Sequence, residues 1–395
     1  MLRFLHTSDW HFGHVLYGYD RTEEQLETLA AIDAICRRER PDALIVSGDL
    51  YDVAQPSSAV QRRLTDALIA MRRHNPSMEI IITAGNHDSA TRHEIARNLW
   101  EEHRIHMIGT VPQREDADLT SLLVRVGDKG VVCAVPYVNR RFVDEDFYMR
   151  VTEEASHIET DESLPVVLMA HMAVSGGDYE GHRSMAEGAI IGNLETAPLE
   201  SLGHDYDYLA LGHIHKRQQL DAAGRVCYSG SPMAVSFDEP YAHGVFLVEI
   251  ECRGAVPRVK SVDLEARCPL LTVGAPAGLS WADALNELNS LEASPESYVR
   301  LNVADDATLP DNAVELARRA SAERGLRFCV LNRVRPGRTA SEHSETSMTV
   351  EELRQRSPLD IARLYADAVG EVFDEDMESL LSEIINEVEE DRRES

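Results

Sequence analysis

The sequence predicts an α/β fold built from two stacked β-sheets with helices on their outer faces. Through the first hundred residues, short apolar runs alternate with segments in which apolar residues recur at helical spacing. From residue 119 onward, consecutive apolar runs follow one another as neighbouring strands do. The chain has 395 residues, 43% of them hydrophobic, so it can bury a large core, and its length predicts two or three domains.

The first part of the chain is predicted to alternate strictly between buried strands and helices. Ser57 or Ser58, directly after Pro56, is a candidate N-cap for the second helix because a side-chain oxygen there accepts a backbone N–H. We predict strands over 2–7, 42–47 and 79–83, and helices over 22–38, 57–73 and 92–102.

The middle of the chain is predicted to supply a second sheet. Its apolar runs are SLLVRV, GVVCAV and PVVLMA, followed by 208–211 and 244–250. These runs are bounded by turn residues and are too short for helices of ordinary length. Paired strands flanked by helices predict two sheets packed face to face.

The predicted domain organisation has four parts. Residues 1–268 form the core domain, and 269–337 form a small α/β domain in which strands alternate with the helical segments WADALNELNSL and AVELARRASAE. Residues 338–356 are polar and unpatterned and are predicted to be a linker. Residues 357–395 are predicted helices, whose apolar stripe packs either on this chain or on a partner.

Charge and cysteine usage limit the possible functions and locations. The formal net charge of −29 repels nucleic acid at long range, so a nucleic-acid substrate would require local basic patches, bound cations or a partner. The six cysteines show no CxxC spacing, which indicates reduced thiols of an intracellular protein. A motif begins at Asp9, which leaves no room for a cleaved signal peptide, so we expect a cytoplasmic protein.

Metal-ligating side chains directly follow five of the apolar runs. Histidine nitrogens and carboxylate oxygens together suit Mn²⁺, Fe²⁺ or Zn²⁺ better than Mg²⁺ or Ca²⁺. Each segment alone is weak evidence, but five in succession predict a two-metal site that can clamp the attacking and leaving oxygens at a phosphorus atom. The segments are Asp9-Trp10-His11, Gly48-Asp49, Gly85-Asn86-His87-Asp88, Ala170-His171 and Gly212-His213-Ile214-His215.

The spacing within these segments also carries a prediction. Asp9 and His11 lie two residues apart, so on an extended segment both side chains can face one ion, and His213 and His215 repeat this spacing. Trp10 either packs beneath the metals or stacks on a base.

These segments resemble the calcineurin-like metallophosphoesterase family, whose pattern runs DxH, GD, GNH(D/E), H and GHxH. The match spans residues 9–215 and implies a four-layer αββα fold with a pair of divalent cations. By position, the first ion would be held by Asp9, His11, Asp49 and His215. The second would be held by Asp49, Asn86, His171 and His213. The resemblance makes His87 the catalytic residue that protonates the leaving oxygen, with Asp88 orienting it.

A narrower resemblance is to the SbcD family of bacterial nucleases, carried by LHTSDWHFG, SGDLYDVAQPS, ALGHIHKRQ and YSGSPMAVSFDE. It implies an ATP-stimulated 3′–5′ exonuclease on duplex DNA and an endonuclease on single strands and hairpins, in DNA repair, recombination and replication. The implied partner is an SbcC-type ATPase, two copies of which join two nuclease subunits and bind the C-terminal helices. Mn²⁺ is the implied metal, with Mg²⁺, Fe²⁺ and Zn²⁺ open. The family also forms a homodimer through helices near 57–73 and 90–103.

Several points stay open at this stage. Archaeal and eukaryotic relatives carry a histidine where this chain has Asp52, which we expect to act around the metal ligands by reorienting His87 or a water. Apolar residues of the second helix, among them Leu64 and Leu68, face either a dimer partner or their own sheet. No DNA-contacting residue is predicted. The alternatives to a nuclease are a phosphodiesterase or phosphatase for other substrates, such as small nucleotides, and a non-catalytic scaffold.

Overall fold

The computed structural model describes residues 1–112, 118–138, 143–144, 146–158, 163–179 and 196–334, together with Met377 and Leu381. Residues 1–336, apart from 191–193, form one compact unit. The predicted linker and nearly all of the predicted C-terminal helices lie outside the described residues. Among the described residues, no helix combines the length and the hydropathy needed to cross a membrane.

Within residues 1–334 the described elements are seventeen strands and seven α-helices. The strands are β1 (Leu2–Thr7), β2 (Val15–Leu16), β3 (Tyr19–Asp20), β4 (Ala43–Ser47), β5 (Glu79–Thr83), β6 (Ile105–Ile108), β7 (Leu123–Val126), β8 (Gly130–Ala134), β9 (Val166–His171), β10 (Tyr208–Gly212), β11 (Gln218–Gln219), β12 (Val226–Tyr228), β13 (Gly244–Ile250), β14 (Arg258–Asp263), β15 (Leu270–Val273), β16 (Tyr298–Ala304) and β17 (Arg327–Val334). The helices are α1 (Thr22–Glu39), α2 (Ser58–His74), α3 (Ala90–Glu94), α4 (Arg97–Glu102), α5 (Phe147–Ile158), α6 (Trp281–Ser290) and α7 (Ala313–Glu323).

Two six-stranded sheets form the centre of the molecule. The first has the order β14-β13-β1-β4-β5-β6, in which β1, β4, β5 and β6 run parallel. The second has the order β11-β12-β10-β9-β8-β7, in which β12, β10, β9 and β8 run parallel. Parallel neighbours place the carboxyl ends of their strands at one edge of a sheet, which is where α/β proteins bind ligands.

The central strands β1, β4 and β5 of the first sheet bury both of their faces. Successive side chains point to opposite faces, so Phe4 and Ile45 join the core shared with the second sheet, whereas Leu5 and Leu44 join a separate core with α1 and α2. Helix α5 packs on β8 and β9 of the second sheet. The order of layers is therefore helix, sheet, sheet, helix, and the predicted αββα fold is confirmed.

The predicted helices agree with the structure except at one point, and α5 was not predicted. Ser57 is the N-cap of α2, and its Oγ accepts from the Val60 N–H at 3.3 Å, which confirms the predicted cap. The single helix predicted over 92–102 is wrong, because the segment forms α3 and α4. Ala96 separates them with a non-helical backbone (φ −123°, ψ 23°), and Glu94 in α3 accepts from the Gly109 N–H at 2.8 Å.

The small three-stranded sheet, in the order β15-β16-β17, is parallel and carries α6 and α7. These elements enclose a hydrophobic core that is separate from the two cores of the large sheets. It includes Val273, Leu288, Leu301 and Phe328. The strand and helix alternation predicted for this segment is confirmed, while its division from residues 1–268 as a separate domain stays a prediction.

Candidate metal centre

Five strands from both sheets end at one edge of the double layer, and the predicted metal ligands lie there. β1, β4 and β5 belong to the first sheet, and β9 and β10 belong to the second. Each ligand stands at or just beyond the carboxyl end of a strand, where a rigid sheet positions the loop. The structure brings together all seven predicted ligands, which are Asp9, His11, Asp49, Asn86, His171, His213 and His215.

One group of donor atoms comes from Asp9, His11 and His215, and these atoms lie within 4.8 Å of one another. The Nε2 atoms of His11 and His215 are 3.1 Å apart. All three residues are buried, with exposed fractions of at most 2%. Two imidazole nitrogens directed at the same point, beside a carboxylate, are what a shared cation requires.

A second group comes from Asp49, His171 and His213, whose donor atoms also lie within 4.8 Å of one another. The Asn86 Oδ1 adds a neutral oxygen, 2.9 Å from His171 Nε2 and 3.0 Å from His213 Nδ1. Asp49 Oδ2 lies 3.3 Å from His171 Nε2 and 3.8 Å from His11 Nε2. Asp49 therefore stands between the two groups, as a bridging carboxylate must.

The carboxylates make the buried pocket strongly favourable for positive charge. Burial disfavours the imidazolium form of His11, but Asp52, Asp49 and Asp9 outweigh it and raise the pKa of His11 to about 9. The pKa of His171 is likewise raised to about 9, because Asp49 and Asp9 outweigh its burial. The same carboxylates that stabilise an imidazolium here would stabilise a divalent cation. The whole donor set fits divalent cations.

Four of the ligands have a left-handed backbone, which is rare for residues other than glycine. The φ angles are 51° at Asp9, 43° at His11, 46° at Asp49 and 93° at His213. The prediction that Asp9 and His11 lie on an extended segment is therefore wrong. Hydrogen bonds between the two loops hold this conformation, with Asp9 N–H donating to Gly48 O at 3.1 Å and His11 N–H to Asp49 O at 3.0 Å. Strained backbone of this kind is concentrated at functional sites.

Two glycines of the motifs are required by close packing. A Cβ atom at Gly48, where φ is +85°, would lie 2.0 Å from His171 Nδ1. A Cβ atom at Gly85 would lie 2.1 Å from Asp49 Oδ1. The loops approach the ligands so closely that no side chain fits at either position.

His87 lies at the open side of the site and is half-buried. Its backbone N–H donates to Asp49 Oδ1 at 2.9 Å, and its ring lies 4.8 Å from the His11 ring. Its Nδ1 is 2.9 Å from the backbone carbonyl oxygen of Asp52. Because that carbonyl only accepts hydrogen bonds, Nδ1 carries the proton, and a second proton on Nε2 would make His87 an acid.

The prediction that Asp88 orients His87 is wrong. The Asp88 carboxylate accepts from the backbone N–H groups of Leu50, Tyr51 and Gly85, each at 2.9 Å. It therefore ties the loop after β5 to the loop after β4. The orienting group for His87 is the carbonyl of Asp52.

Asp52 acts around the ligands in two ways. Its Oδ1 lies 3.0 Å from His14 Nδ1 and 3.5 Å from His11 Nδ1, and these imidazoles outweigh its burial and hold its pKa well below the usual range. Its backbone carbonyl holds His87. Its side chain thus contacts His11 and His14, and the expectation that this aspartate reorients His87 or a water stays a prediction.

Trp10 and Glu239 show what the sequence did not resolve. Trp10 is 2% exposed and donates from Nε1 to Thr7 Oγ1 at 3.0 Å, so it packs beneath the site and does not stack on a base. Glu239, which was not predicted, lies 2.9 Å from His215 Nδ1 through its Oε1. The available signal was the segment YSGSPMAVSFDE, which carried the resemblance to the SbcD family and ends at Glu239.

Comparison with known proteins agrees with this geometry. Residues 2–217 match the family model of the calcineurin-like phosphoesterases. Three similar proteins are named as the SbcD component of the nuclease SbcCD. The one from Rhodobacter capsulatus is 33% identical over 313 residues, covering 73% of this chain and 76% of that protein. The one from Bacillus subtilis is 30% identical, covering 73% and 77%, and the one from Escherichia coli is 24% identical, covering 78% and 80%. The chain therefore belongs to the calcineurin-like phosphoesterase family, within its group of SbcD nucleases.

Proposed function

We propose that this protein is a metal-dependent DNA nuclease that hydrolyses phosphodiester bonds at the site described above. The observation that carries the proposal is the convergence of two buried donor groups on the bridging carboxylate of Asp49, with His87 beside them. The names of its relatives support the same activity, since they are nucleases.

The residues divide naturally between two ions. The pair would polarise the phosphate and lower the pKa of a water molecule, which is the chemistry that divalent cations supply at such sites. Mn²⁺ is our first choice, with Mg²⁺, Fe²⁺ and Zn²⁺ as further candidates. Asp9, His11, Asp49 and His215 would hold one ion, and Asp49, Asn86, His171 and His213 the other.

His87 would donate a proton to the departing 3′ oxygen. The Asp52 carbonyl stabilises Nδ1–H, so the proton that moves is held at Nε2. The donor atoms of His87, His11 and Asp49 also lie within 4.8 Å of one another, so the acid stands directly beside the bridging carboxylate.

One side of the site is open to a substrate. Asn86 is exposed and His87 and His213 are half-buried, whereas Asp9 and His11 are fully buried. A phosphodiester approaching from this side meets His87 first. The net charge of −29 means that bound cations and a partner must offset repulsion of DNA.

We extend the proposal to the biological setting. The protein would act in the cytoplasm with an SbcC-type ATPase, in an assembly of two nuclease and two ATPase subunits. It would degrade duplex ends in the 3′–5′ direction and cleave single strands and hairpins, in DNA repair, recombination and replication. The relatives' name, which describes one component of a nuclease with more than one kind of chain, supports such an assembly.

We also propose a homodimer through the helices near 57–73 and 90–103. Leu64 and Leu68 in α2 are buried against the sheet of their own subunit, so we do not assign them to the dimer contact. The apolar residues available to a partner are instead Ile95, 80% exposed, and Leu99, 60% exposed.

The test is cleavage of end-labelled linear and hairpin DNA by the purified chain with Mn²⁺, beside His87→Ala. Loss of the proton donor should lower the rate by about 10²–10⁴-fold while Mn²⁺ binding is retained. Adding the ATPase partner and ATP should extend cleavage to duplex ends. Hydrolysis of a small phosphodiester or a cyclic nucleotide, with no cleavage of DNA under any of these conditions, would instead establish the small-nucleotide phosphodiesterase.

A further inference from the structure

The orientation of one metal ligand, His215, depends on a carboxylate from outside the five motifs. Glu239 Oε1 lies 2.9 Å from His215 Nδ1, and Glu239 is only 5% exposed. In contrast, His171 Nδ1 lies 2.9 Å from the backbone carbonyl of Ser47, inside the first sheet. A carboxylate on Nδ1 fixes the ring orientation and makes Nε2 a better metal ligand.

Glu239 belongs to a short, partly buried segment, residues 234–239, which we call the strap. The Oε2 atom of Glu239 accepts a hydrogen bond from the Val235 N–H at 3.2 Å, which links the two ends of the strap. On the core side, the Arg21 guanidinium, 1% exposed, donates to the Ala234 carbonyl at 2.6 Å. The strap is thus tied to the core at its beginning and to a metal ligand at its end.

The small sheet holds the same strap from the other side, through Arg300 in β16. Arg300 Nη1 donates to Asp238 Oδ1 at 2.6 Å, and Nη2 donates to the Phe237 carbonyl at 3.2 Å. The guanidinium also lies over the Phe237 ring, 5.2 Å from its centroid. Arg300 Nε donates to Thr272 Oγ1 in β15 at 3.2 Å, so the arginine itself is fixed within the small sheet.

Asp238 directly precedes Glu239, and the peptide unit between them is planar and rigid. The contact that holds Asp238 therefore also restricts the position of Glu239, and through it that of His215. Tyr298, two residues before Arg300 and on the same face of β16, donates from its hydroxyl to Glu24 Oε1 in α1 at 2.5 Å. The face of the small sheet that carries Arg300 is thus anchored to the core domain.

We propose that Arg300 is a positioning residue for the metal centre, and that it sets the affinity of the ion held by Asp9, His11 and His215 by holding Asp238 and thereby Glu239. The position of the small sheet then affects the affinity of the centre for one of its two ions. The other ion, on the side of His171 and His213, does not depend on the strap. This inference rests on the proposed metal-dependent function and deepens it.

The experiment is a calorimetric titration of the full metal-free chain with Mn²⁺, which resolves two binding steps. Arg300→Gln removes the charge and the paired hydrogen bonds, and it should weaken one step by about 10-fold or more and leave the other unchanged. Repeating the titration with His213→Ala, which lacks a ligand of the second group, assigns the steps. Arg333→Gln is the matched control, because Arg333 lies in the same small sheet and donates to the Asp305 carbonyl, away from the strap.

Glu239→Gln supplies the second measurement. It should weaken the same step, and adding Arg300→Gln to it should cause little further loss, because both changes act through one chain of contacts. Equal weakening of both steps, no weakening, an equal effect of Arg333→Gln, or additive effects of the two changes would each overturn the proposal. Since these readouts are binding constants, they stand apart from failure of the proposed function, which would show as two bound ions without cleavage of DNA.

Discussion

The carboxylate of Asp49 connects the two ion groups of the centre. Its Oδ1 accepts from the His87 N–H at 2.9 Å, while Oδ2 faces His171 and His11. The neighbouring imidazoles outweigh its burial and keep its pKa far below the usual value, so it stays ionised. One residue therefore links both ion groups to the proton donor. The loops can pack closely around the site because glycines, which lack a side chain, stand at the points of contact.

Gly48→Ala tests that requirement at the scale of single residues. A Cβ atom there would lie 2.0 Å from His171 Nδ1, and φ is +85°. We expect Mn²⁺ binding on the His171 side to be lost and the free energy of unfolding to fall by about 1–2 kcal/mol or more from the backbone alone.

Gly18→Ala is its control, because Gly18 has a φ of +88° but open space around its Cβ position. It should show the backbone cost with both ions still bound, as measured by calorimetry and denaturant unfolding. If Gly48→Ala binds Mn²⁺ as tightly as Gly18→Ala, close packing is not the reason for a glycine at this position.

At the scale of elements, neighbouring helices use their apolar residues differently. In α2, Leu64, Leu68 and Met71 pack on the first sheet, where each is at most 2% exposed. Near α3 and α4, Ile95 and Leu99 face outward. A helical pattern alone cannot distinguish these cases, because both present apolar residues at the same spacing.

Substitutions in these helices should separate stability from association. Leu64→Ala removes fully buried methyl groups and should lower the free energy of unfolding by about 2–5 kcal/mol without changing the oligomeric state. Leu99→Asp should leave the unfolding midpoint nearly unchanged and convert a dimer to a monomer in light scattering. A dimer that survives both Leu99→Asp and Ile95→Asp would place the interface elsewhere.

At the scale of the whole molecule, the two sheets are joined by a buried polar contact as well as by apolar packing. His6 of the first sheet lies 3.0 Å from the Tyr208 hydroxyl of the second through Nδ1, and 3.3 Å from Ser47 Oγ through Nε2. Burial lowers the pKa of His6 to about 3. The fold therefore depends on this imidazole remaining neutral between the sheets.

This dependence predicts acid sensitivity. Between pH 6.5 and about 3, the unfolded chain binds a proton at His6 that the folded chain does not, so stability falls as the pH falls through this window. The contribution is on the order of 5 kcal/mol at its largest. His6→Gln should lower stability at pH 7 but show a shallower loss between pH 6 and 4 in denaturant unfolding. Parallel pH profiles of the two proteins would refute this role of His6.

Much of the architecture was predictable, because it depends on local periodicity. The spacing of apolar residues predicted β1, β5 and β13 at their observed bounds, since strands in the interior of a sheet are rich in apolar residues. The ligands were predictable because Asp, His and Asn directly after such strands have little value for packing. The division of 92–102 into two helices was not predicted. It accompanies a tertiary contact, the hydrogen bond from the Gly109 N–H after β6 to the Glu94 carboxylate.

What the sequence by itself determined was the αββα fold, the chemical identity of the ligands and the family to which they belong. Only the tertiary structure decided which group orients which ligand. Asp88 follows His87 directly yet serves other backbone groups, while Glu239, 24 residues beyond His215, holds that histidine. The physical reason is that hydrogen bonds depend on distances of about 3 Å in space, and such distances between separate loops arise only when the sheets are packed together.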